Sequence, residues 1–255
     1  MLRLGLGGEA ANMMKPPVII PAYQPGPELG PLVKALLSDG QTDVIIVDDG
    51  SSPDHAGVFS ALKTLPRVHL LKHPINLGKG QALKTAFAYF LNKFPADSPG
   101  VITADSDGQH LPGDIAAVSR CLAENNSALC LGTRRFKGIV PARSLFGNTM
   151  TRMVFRVFSG KAISDTQTGL RGIPATFLPE LLKIRANGYA FELEMLLMAV
   201  RSGLRIIETP IETVYLAGNN TSHFNPLLDS IRIYSVFLRF AASALLAIGS
   251  RRKRP

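Results

Sequence analysis

Residues 100–110 read Gly100-Val-Ile-Thr-Ala-Asp105-Ser-Asp107-Gly-Gln-His110, an apolar run that ends in two carboxylates one residue apart. The run predicts a buried strand, and the glycine after Asp107 predicts a turn. A similar run, Val44-Ile-Ile-Val47, ends in Asp48 and Asp49. Ligands of open α/β sheets bind at the carboxyl ends of the strands, so both acidic clusters are candidates for a binding site.

The first half of the chain alternates short β-branched runs with longer helical patterns. The predicted strands are 18–20, 44–47, 68–71, 101–103 and 128–131, and the predicted helices are 29–37, 80–90 and 111–123. This alternation predicts an α/β fold with a mostly parallel central sheet that helices cover on both faces. Hydrophobic residues make up 46% of the 255 residues, which excludes a disordered chain.

The second half is less regular. Helical patterns span 143–158 and 191–201, a turn is predicted at 165–169, and strands are predicted at 204–207 and 211–215. The chain has no internal repeat and no low-complexity linker. We therefore expect a loose N-terminal extension at 1–15, one domain at 16–225 and a C-terminal appendage at 226–255.

The net charge of +9 is concentrated in two segments. Seven Lys or Arg residues and no acid lie between Glu124 and Asp165, and six more with no acid follow Asp229. Neither segment has an aromatic-interleaved basic stripe or a helix-turn-helix signature, so nucleic acid is not the expected partner. A phosphorylated substrate and an anionic membrane surface fit the two segments better.

The C-terminal appendage has the pattern of an amphipathic helix. Arg232, Ser235 and Arg239 share one narrow face among apolar residues, and the tail 251–254 is fully basic. The uncharged stretch that follows Arg239 is shorter than the roughly 20 residues that a spanning helix needs. We expect this segment to lie on a membrane surface without crossing it. The alternative is a helix that docks on the sheet and carries a solvated tail.

The cysteines and the N-terminus indicate the compartment. Cys121 and Cys130 form no disulfide framework and lack metal-binding spacing, so we expect buried thiols in a reducing environment. Glu9 interrupts the only apolar stretch of the first fifteen residues, which argues against a secretory signal. The predicted location is cytoplasmic, peripheral on the cytosolic face of the membrane.

The acidic cluster at Asp105 and Asp107 predicts a metal site. Asp105 and Asp107, with Gln109 assisting, are candidate ligands of Mg²⁺ or Mn²⁺, which bind diphosphates with few protein ligands and several waters or phosphate oxygens. The alternative is a calcium-like turn, although the further spaced acids of an EF-hand are missing. Asp48 and Asp49 could accept hydrogen bonds from a base or ribose, or could be ordinary solvated residues at a strand end.

A third motif, Asn76-Leu-Gly-Lys79-Gly80, lies where a loop enters a helix. Its glycines permit close backbone approach and Lys79 supplies positive charge, but the spacing is not that of a phosphate-binding P-loop. We expect it near a phosphorylated ligand, and the alternative is a plain glycine-rich helix entry. His110 and His223 are expected as polar residues at the edge of the site.

These motifs occur in one order along residues 16–240, and together they resemble family 2 glycosyltransferases with the GT-A fold. The motifs of the first half are Val18-Ile-Ile-Pro21-Ala-Tyr23, Asp48-Asp49-Gly-Ser51, Asn76-Leu-Gly-Lys79-Gly80 and Asp105-Ser-Asp107-Gly-Gln109. Those of the second half, which resemble dolichyl- or polyprenyl-phosphate mannose or glucose synthases, are Gly132-Thr-Arg134-Arg135, Pro141-Ala-Arg143-Ser144 and Asp165-Thr-Gln-Thr-Gly169-Leu-Arg171. The implied fold is a GT-A sheet with a Rossmann-like nucleotide-binding half and a C-terminal amphipathic helix.

The resemblance implies a role for each matching residue. Donor-binding residues would be Pro21, Tyr23, Asp48, Asp49, Lys79, Asp105 and Arg171, with Pro21, Tyr23 and Asp49 at the nucleotide base. The metal would be held by Asp105, Asp107 and Gln109. The acceptor phosphate would be bound by Arg134, Arg143 and Ser144. Catalytic roles would belong to Asp165, Glu194 and Arg143, with Glu194 in the segment Phe191-Glu-Leu-Glu-Met195.

The resemblance implies inverting transfer of a hexosyl unit from a nucleotide diphosphate sugar, of the GDP-mannose or UDP-glucose type, to polyprenyl phosphate. A separate membrane protein is a possible further partner. An alternative is a family relative that glycosylates a saccharide or another non-lipid acceptor and therefore needs a general base, Glu194 or Asp165. A second alternative is a non-catalytic, membrane-bound scaffold, which has no reason to retain all of these residues.

Overall fold

The computed structural model of the chain describes residues 15–38, 42–134, 151–153, 155–157, 159–188 and 190–212. The predicted N-terminal extension, apart from Lys15, and the predicted amphipathic appendage lie outside the described residues. So do Arg143, Ser144 and His223. Within the described residues, no helix is long and apolar enough to cross a membrane.

The part of the chain that the structure describes contains one sheet of seven strands, in the order β3-β2-β1-β4-β6-β5-β7. Their bounds are β1 Val18–Ala22, β2 Val44–Asp48, β3 Val68–Lys72, β4 Gly100–Thr103, β5 Ala128–Arg134, β6 Arg171–Pro174 and β7 Arg205–Ile211. All neighbouring strands are parallel except where β6 pairs, because β6 runs antiparallel to both β4 and β5. The carboxyl ends of the other six strands therefore share one edge of the sheet.

Helices connect these strands and cover the sheet. Their bounds are α1 Leu29–Leu37, α2 Ala56–Lys63, α3 Lys79–Lys93, α4 Pro112–Glu124, α5 Leu178–Leu181 and α6 Ala190–Arg201, with 3₁₀ turns at Pro53–His55 and Ala175–Phe177. Residues 151–153 and 155–157 are also helical. The predicted α/β architecture, with a mostly parallel sheet, is confirmed.

The core consists of two layers, one on each face of the sheet. Successive residues of β1 point to opposite faces, so Ile19 packs in the layer of α3 and α6, whereas Ile20 packs in the layer of α1, α2 and α4. Both side chains are fully buried. Burial on both faces explains why the central strands are continuous apolar runs without polar alternation.

Two strands differ from the sequence-based expectation. Arg171–Pro174 was expected only as the exit of a turn, but it forms β6 between β4 and β5. Its Gly172 lies beneath α4, where an added Cβ would lie 3.1 Å from the Cβ of Leu122. The strand expected at 204–207 is β7, which continues through Pro210 to Ile211, and residues 213–215 of the second expected strand lie outside the described residues. The proline is tolerated because β7, among the strands that the structure describes, is the last in the sheet order and pairs with β5 alone.

The two cysteines lie together between α4 and β5. Their Sγ atoms are 2.8 Å apart, Cys130 is buried, and Cys121 is only partly buried. Burial, followed by the hydrogen bond with Cys121, raises the pKa of the Cys130 thiol. Both residues are free thiols, as the sequence predicts, although Cys121 is less enclosed than expected.

Candidate functional site

The exits of β1 and β2 form one wall of the site. The Gln24 amide donates to Ser51 Oγ at 2.9 Å, and the Ser51 amide donates to Asp48 Oδ1 at 2.8 Å. Of the residues that were expected to meet the nucleotide base, Pro21 and Asp49 are buried, and Tyr23 is partly exposed. Tyr23 is therefore the member of this group whose side chain borders open space.

Asp49 fixes the loop that leads into α3. Its Oδ1 accepts from the Leu77 amide at 3.0 Å and lies 2.7 Å from His73 Nδ1, while its Oδ2 accepts from the Gly78 amide at 2.9 Å. His73 Nε2 in turn lies 2.9 Å from Thr85 Oγ1 on α3. Both Asp49 oxygens accept hydrogen bonds inside the protein, so Asp49 positions this loop, and its expected contact with the base stays a prediction. The contact between His73 and Asp49 was not predicted, because no sequence motif indicates that these two residues lie together.

Lys79, the first residue of α3, lies between two carboxylates. Its Nζ is 2.6 Å from Asp105 Oδ1 and 3.0 Å from Glu192 Oε1. Asp105 Oδ2 is 3.2 Å from His110 Nε2. His110 therefore lies beside the expected site, and its ring is buried.

Opposite charges keep this cluster ionised. Burial alone would lower the pKa of Lys79, but the Asp105 and Glu192 carboxylates outweigh burial, and the pKa is raised well above its usual range. Burial would likewise raise the pKa of Asp105, but the charges and hydrogen bonds of Lys79 and His110 hold it far below its usual range. The Lys79–Asp105 pair is therefore charged on both sides at neutral pH.

Asp107 has the opposite shift. Burial, and then the negative charge of Asp105, raise the pKa of its carboxyl, although the Gln109 amide donates to Oδ1 at 3.1 Å. A carboxylate whose charge is under-compensated beside a second carboxylate fits the donor chemistry of Mg²⁺ or Mn²⁺. Within the described ranges, no three His, Cys, Asp or Glu side chains converge on a metal position.

The turn at 165–170 closes over Asp105. Thr103 Oγ1 donates to the Gly169 carbonyl at 2.8 Å. A Cβ added to Gly169 would collide with the Asp105 carboxylate, so only glycine permits this approach. The sequence signal for this contact was the Gly169 of the expected turn, but its partner could not be read from the sequence.

Arg134 and Asp165 pair across this turn. Arg134 Nε donates to Asp165 Oδ2 at 2.5 Å and Nη2 donates to Oδ1 at 3.0 Å, a bidentate contact with a fully buried carboxylate. The structure therefore brings together one expected acceptor-binding residue and one expected catalytic residue.

Arg171 is fully buried at the centre of the site. Its Nε donates to the Thr168 carbonyl at 2.9 Å and Nη1 donates to the Glu192 carbonyl at 2.6 Å. Burial lowers the pKa of Arg171, and the negative charges of Glu192, Asp165 and Asp105 oppose this effect. The guanidinium is enclosed by protein and joins the turn to α6, and its expected contact with the donor stays a prediction.

The carboxylate that α6 contributes to this cluster is Glu192. Glu194, which the sequence singled out, lies near Lys84 on α3, where its negative charge opposes the lowering of the Lys84 pKa by burial. Two residues along a helix differ by about 200° in direction, so Glu192 and Glu194 face different surroundings. Glu192 is therefore the glutamate of α6 that contacts Lys79, and the catalytic role expected for Glu194 stays a prediction.

Comparison with known proteins identifies the class. The family model described as "Glycosyl transferase family 2" matches residues 18–171. The chain therefore belongs to glycosyl transferase family 2, and its sheet and helices are those of a GT-A glycosyltransferase, as the sequence motifs predict.

Its relatives narrow the comparison. The chain is 30% identical over 219 residues to the UDP-N-acetylglucosamine–dolichyl-phosphate N-acetylglucosaminyltransferase of Methanococcus voltae, covering 78% of this chain and 85% of that one. It is 29% identical to the undecaprenyl-phosphate mannosyltransferase of Micrococcus luteus, covering 77% and 82%. It is 27% identical to the polyprenol monophosphomannose synthase of Mycolicibacterium smegmatis, covering 76% and 75%.

Among solved structures, the fold is similar to that of glucosyl-3-phosphoglycerate synthase from Mycobacterium tuberculosis. The TM-score is 0.64 at 18% identity, and the match covers 90% of this chain and 80% of that chain. That enzyme was solved with Mn²⁺ and uridine diphosphate. At this level of identity the similarity supports the fold.

Proposed function

We propose that this glycosyltransferase moves a hexosyl unit from a nucleotide diphosphate sugar to polyprenyl phosphate with inversion at the anomeric carbon. The donor is of the GDP-mannose or UDP-glucose type, and the reaction depends on Mg²⁺ or Mn²⁺. The observation that carries the proposal is that Lys79 contacts both Asp105 and Glu192 at one end of the site, while Asp165 holds the Arg134 guanidinium through two hydrogen bonds. The first group of contacts would serve the donor, and the second would serve the acceptor phosphate.

The donor side consists of Lys79, Asp105 and Asp107. Asp105 and Asp107 would hold the divalent ion, with Gln109 assisting, and the ion when bound supplies positive charge to the departing nucleotide diphosphate. Lys79 adds a second positive charge at the start of α3. Tyr23, which is partly exposed at the exit of β1, borders the space for the nucleotide base.

The acceptor side lies at the end of β5. Arg134 would bind the acceptor phosphate together with Arg143 and Ser144, and Asp165 orients the Arg134 guanidinium through both of its oxygens. A polyprenyl phosphate is already anionic at neutral pH, so it needs no strong general base. The main task of these residues is to hold a second anion in line with the leaving diphosphate.

The acceptor lipid requires contact with a membrane. We propose that the chain is peripheral on the cytosolic face and that residues 226–255 contribute to this contact, with a separate membrane protein as a further possible partner. Within the described residues, Met153 and Val157 are 64% and 71% exposed beside the exposed Arg152 and Arg156. This mixture of apolar and cationic side chains supports contact with anionic lipid.

The direct test is an assay with Mn²⁺, radiolabelled sugar nucleotides and a short-chain polyprenyl phosphate. We expect label in the organic phase for one donor, and its loss in Asp107→Asn. Asp54→Asn, a change at an exposed aspartate outside the site, is the matched control and keeps activity. Label that enters only a water-soluble saccharide would support the alternative acceptor, and no transfer to any acceptor would contradict the proposal.

A further inference from the structure

In this structure, Asp105 already has a cation bound to it. Lys79 Nζ lies 2.6 Å from Asp105 Oδ1, and His110 Nε2 lies 3.2 Å from Oδ2, so each oxygen of the carboxylate has a partner. Asp105 is also one of the two residues proposed to hold the divalent ion. An ammonium group and a metal ion cannot take the same oxygen in the same direction, so the two compete for Asp105.

Glu192 offers Lys79 a second position. Its Oε1 is 3.0 Å from Lys79 Nζ, so the ammonium can leave Asp105 and remain paired with a carboxylate. The Glu192 backbone is held by Arg171, whose Nη1 donates to its carbonyl at 2.6 Å. Glu192 is therefore a fixed acceptor beside the contested carboxylate.

The backbone around Lys79 restricts where its ammonium can go. Gly78 has a φ of 94°, and a Cβ there would lie 2.6 Å from the Asn187 carbonyl oxygen. A Cβ on Gly80 would lie 2.5 Å from the Cβ of Phe191. Two glycines thus press the start of α3 against the chain around α6, which keeps Lys79 within reach of Asp105 and Glu192.

We propose that Lys79 is a built-in counter-ion that occupies Asp105 before the donor arrives, and that Glu192 is the positioning residue that receives its ammonium when Asp105 is released. This inference rests on the proposed function, since it takes Asp105 as a metal ligand. The empty site then binds a divalent ion weakly. A nucleotide diphosphate strengthens metal binding in two ways, because it supplies ligand oxygens and attracts the Lys79 ammonium away from Asp105.

This proposal predicts that metal and nucleotide binding are coupled through Lys79. Coupling between two ligands is reciprocal, so the metal strengthens nucleotide binding by the same factor by which the nucleotide strengthens metal binding. Removing the Lys79 ammonium weakens the coupling between metal and nucleotide binding in two ways. The bare site then gains metal affinity, and the complex loses a positive charge at the diphosphate.

The experiment measures Mn²⁺ binding directly, from the electron paramagnetic resonance signal of free Mn²⁺. In the absence of nucleotide, Lys79→Met is expected to bind Mn²⁺ about tenfold more tightly than the unmodified chain, a factor that corresponds to about 1.4 kcal/mol. With uridine or guanosine diphosphate present, this advantage shrinks or reverses. Lys93→Met, an exposed lysine on the same helix, is the matched control and leaves Mn²⁺ affinity unchanged.

A second pair of variants tests the role of Glu192. Glu192→Gln removes one of the two carboxylates that contact Lys79 and leaves Asp105 as the other. Lys79 then competes more strongly with the metal for Asp105, so Mn²⁺ binding without nucleotide weakens. Part of that loss would also follow from the removal of any negative charge. In the Lys79→Met background the same change therefore has a smaller effect if Glu192 acts through Lys79, which a double-mutant cycle measures.

The outcomes separate the inference from the proposed function. Equal Mn²⁺ affinity of Lys79→Met and the unmodified chain would overturn the counter-ion role, even if the enzyme is active. If the unmodified chain bound no Mn²⁺ even with nucleotide diphosphate, the metal site of the proposed function would fail first. If Lys79→Met does not fold, Lys79→Gln provides the same test with a side chain that is neutral but polar.

Discussion

Arg134 and Asp165 face each other fork to fork, with two hydrogen bonds of 2.5 and 3.0 Å between a guanidinium and a fully buried carboxylate. Asp165 Oδ1 also accepts from the Gln167 amide at 3.0 Å, so the same side chain shapes the turn that follows it. This residue therefore connects the stability of the turn at 165–170 with the orientation of a cation proposed to bind the acceptor phosphate.

Asp165→Asn is expected to reduce the free energy of unfolding by about 3 kcal/mol, because it leaves the largely buried Arg134 without its counter-charge. Urea denaturation measures the loss. Glu180→Gln is the control, since the Glu180–Lys183 pair is exposed on both sides and contributes about 0–1 kcal/mol. A loss at Asp165 no larger than the loss at Glu180 would contradict the structural role.

Asp49→Ala removes the acceptor for the Leu77 and Gly78 amides and the partner of His73. Buried donors that lose their acceptor cost about 1–3 kcal/mol. We expect faster hydrogen exchange at the Leu77 and Gly78 amides and weaker nucleotide binding, because this loop places Lys79. Asp54→Ala, at an exposed position in the 3₁₀ turn that follows β2, is expected to change neither the exchange rates nor nucleotide binding. Unchanged hydrogen exchange in Asp49→Ala would show that the loop before α3 keeps its conformation without the Asp49 hydrogen bonds.

Gly78→Ala tests the entry to α3. An alanine at φ 94° is strained, and its Cβ would lie 2.6 Å from the Asn187 carbonyl oxygen. We expect a lower melting temperature and a weaker metal–nucleotide coupling. Gly30→Ala on α1 is the matched control: nothing lies within 4 Å of the added Cβ, and alanine favours a helix by about 0.5–1 kcal/mol. Equal effects of the two changes would argue against a fixed loop.

Asp107→Asn is expected to change stability in a pH-dependent way. The pKa of Asp107 is raised by burial and by Asp105, so the folded state holds this proton more tightly than the unfolded state. Ionisation of Asp107 therefore destabilises the fold, and stability falls as the pH rises from the usual carboxyl value of about 3.9 through the raised value. Without metal at pH 7, Asp107→Asn is more stable than the unmodified chain, and the advantage disappears on acidification.

The difference in stability is measured on chelator-treated protein. Urea denaturation is carried out at pH 7 and at pH 3, and thermal scans cover the pH values in between. An advantage that stays constant with pH would mean that the amide packs better than the carboxyl, independent of charge. A disadvantage at pH 7 would overturn the electrostatic explanation and, with it, the argument that Asp107 lacks a counter-charge.

The sheet could be predicted from the sequence because burial on both faces makes its central strands continuous β-branched runs. Val44–Val47 is an example, and the structure extends it only to Asp48. β6 could not be predicted in the same way. Its Gly172 has no side chain to show burial, and the position is defined by contact with α4, which is distant in the sequence.

The site was predictable to the level of residue types but not of pairs. The acidic strand ends and Lys79 were visible as motifs, whereas the Arg134–Asp165 and Asp49–His73 contacts join positions 31 and 24 residues apart. The contact of Glu192 with Lys79 could not be predicted for a different reason. α6 is buried on most of its surface, so its hydrophobic pattern does not reveal which side faces the site.

The antiparallel direction of β6 has a consequence for how the enzyme can diversify. β5 ends and β6 begins at the same edge of the sheet, so the segment between them, residues 135 to 170, is anchored at both ends on that edge. This segment can lengthen, shorten or be exchanged while every strand keeps its register. Under the proposed function, acceptor preference can therefore evolve within one contiguous segment, while the strand ends proposed to bind the donor are inherited unchanged.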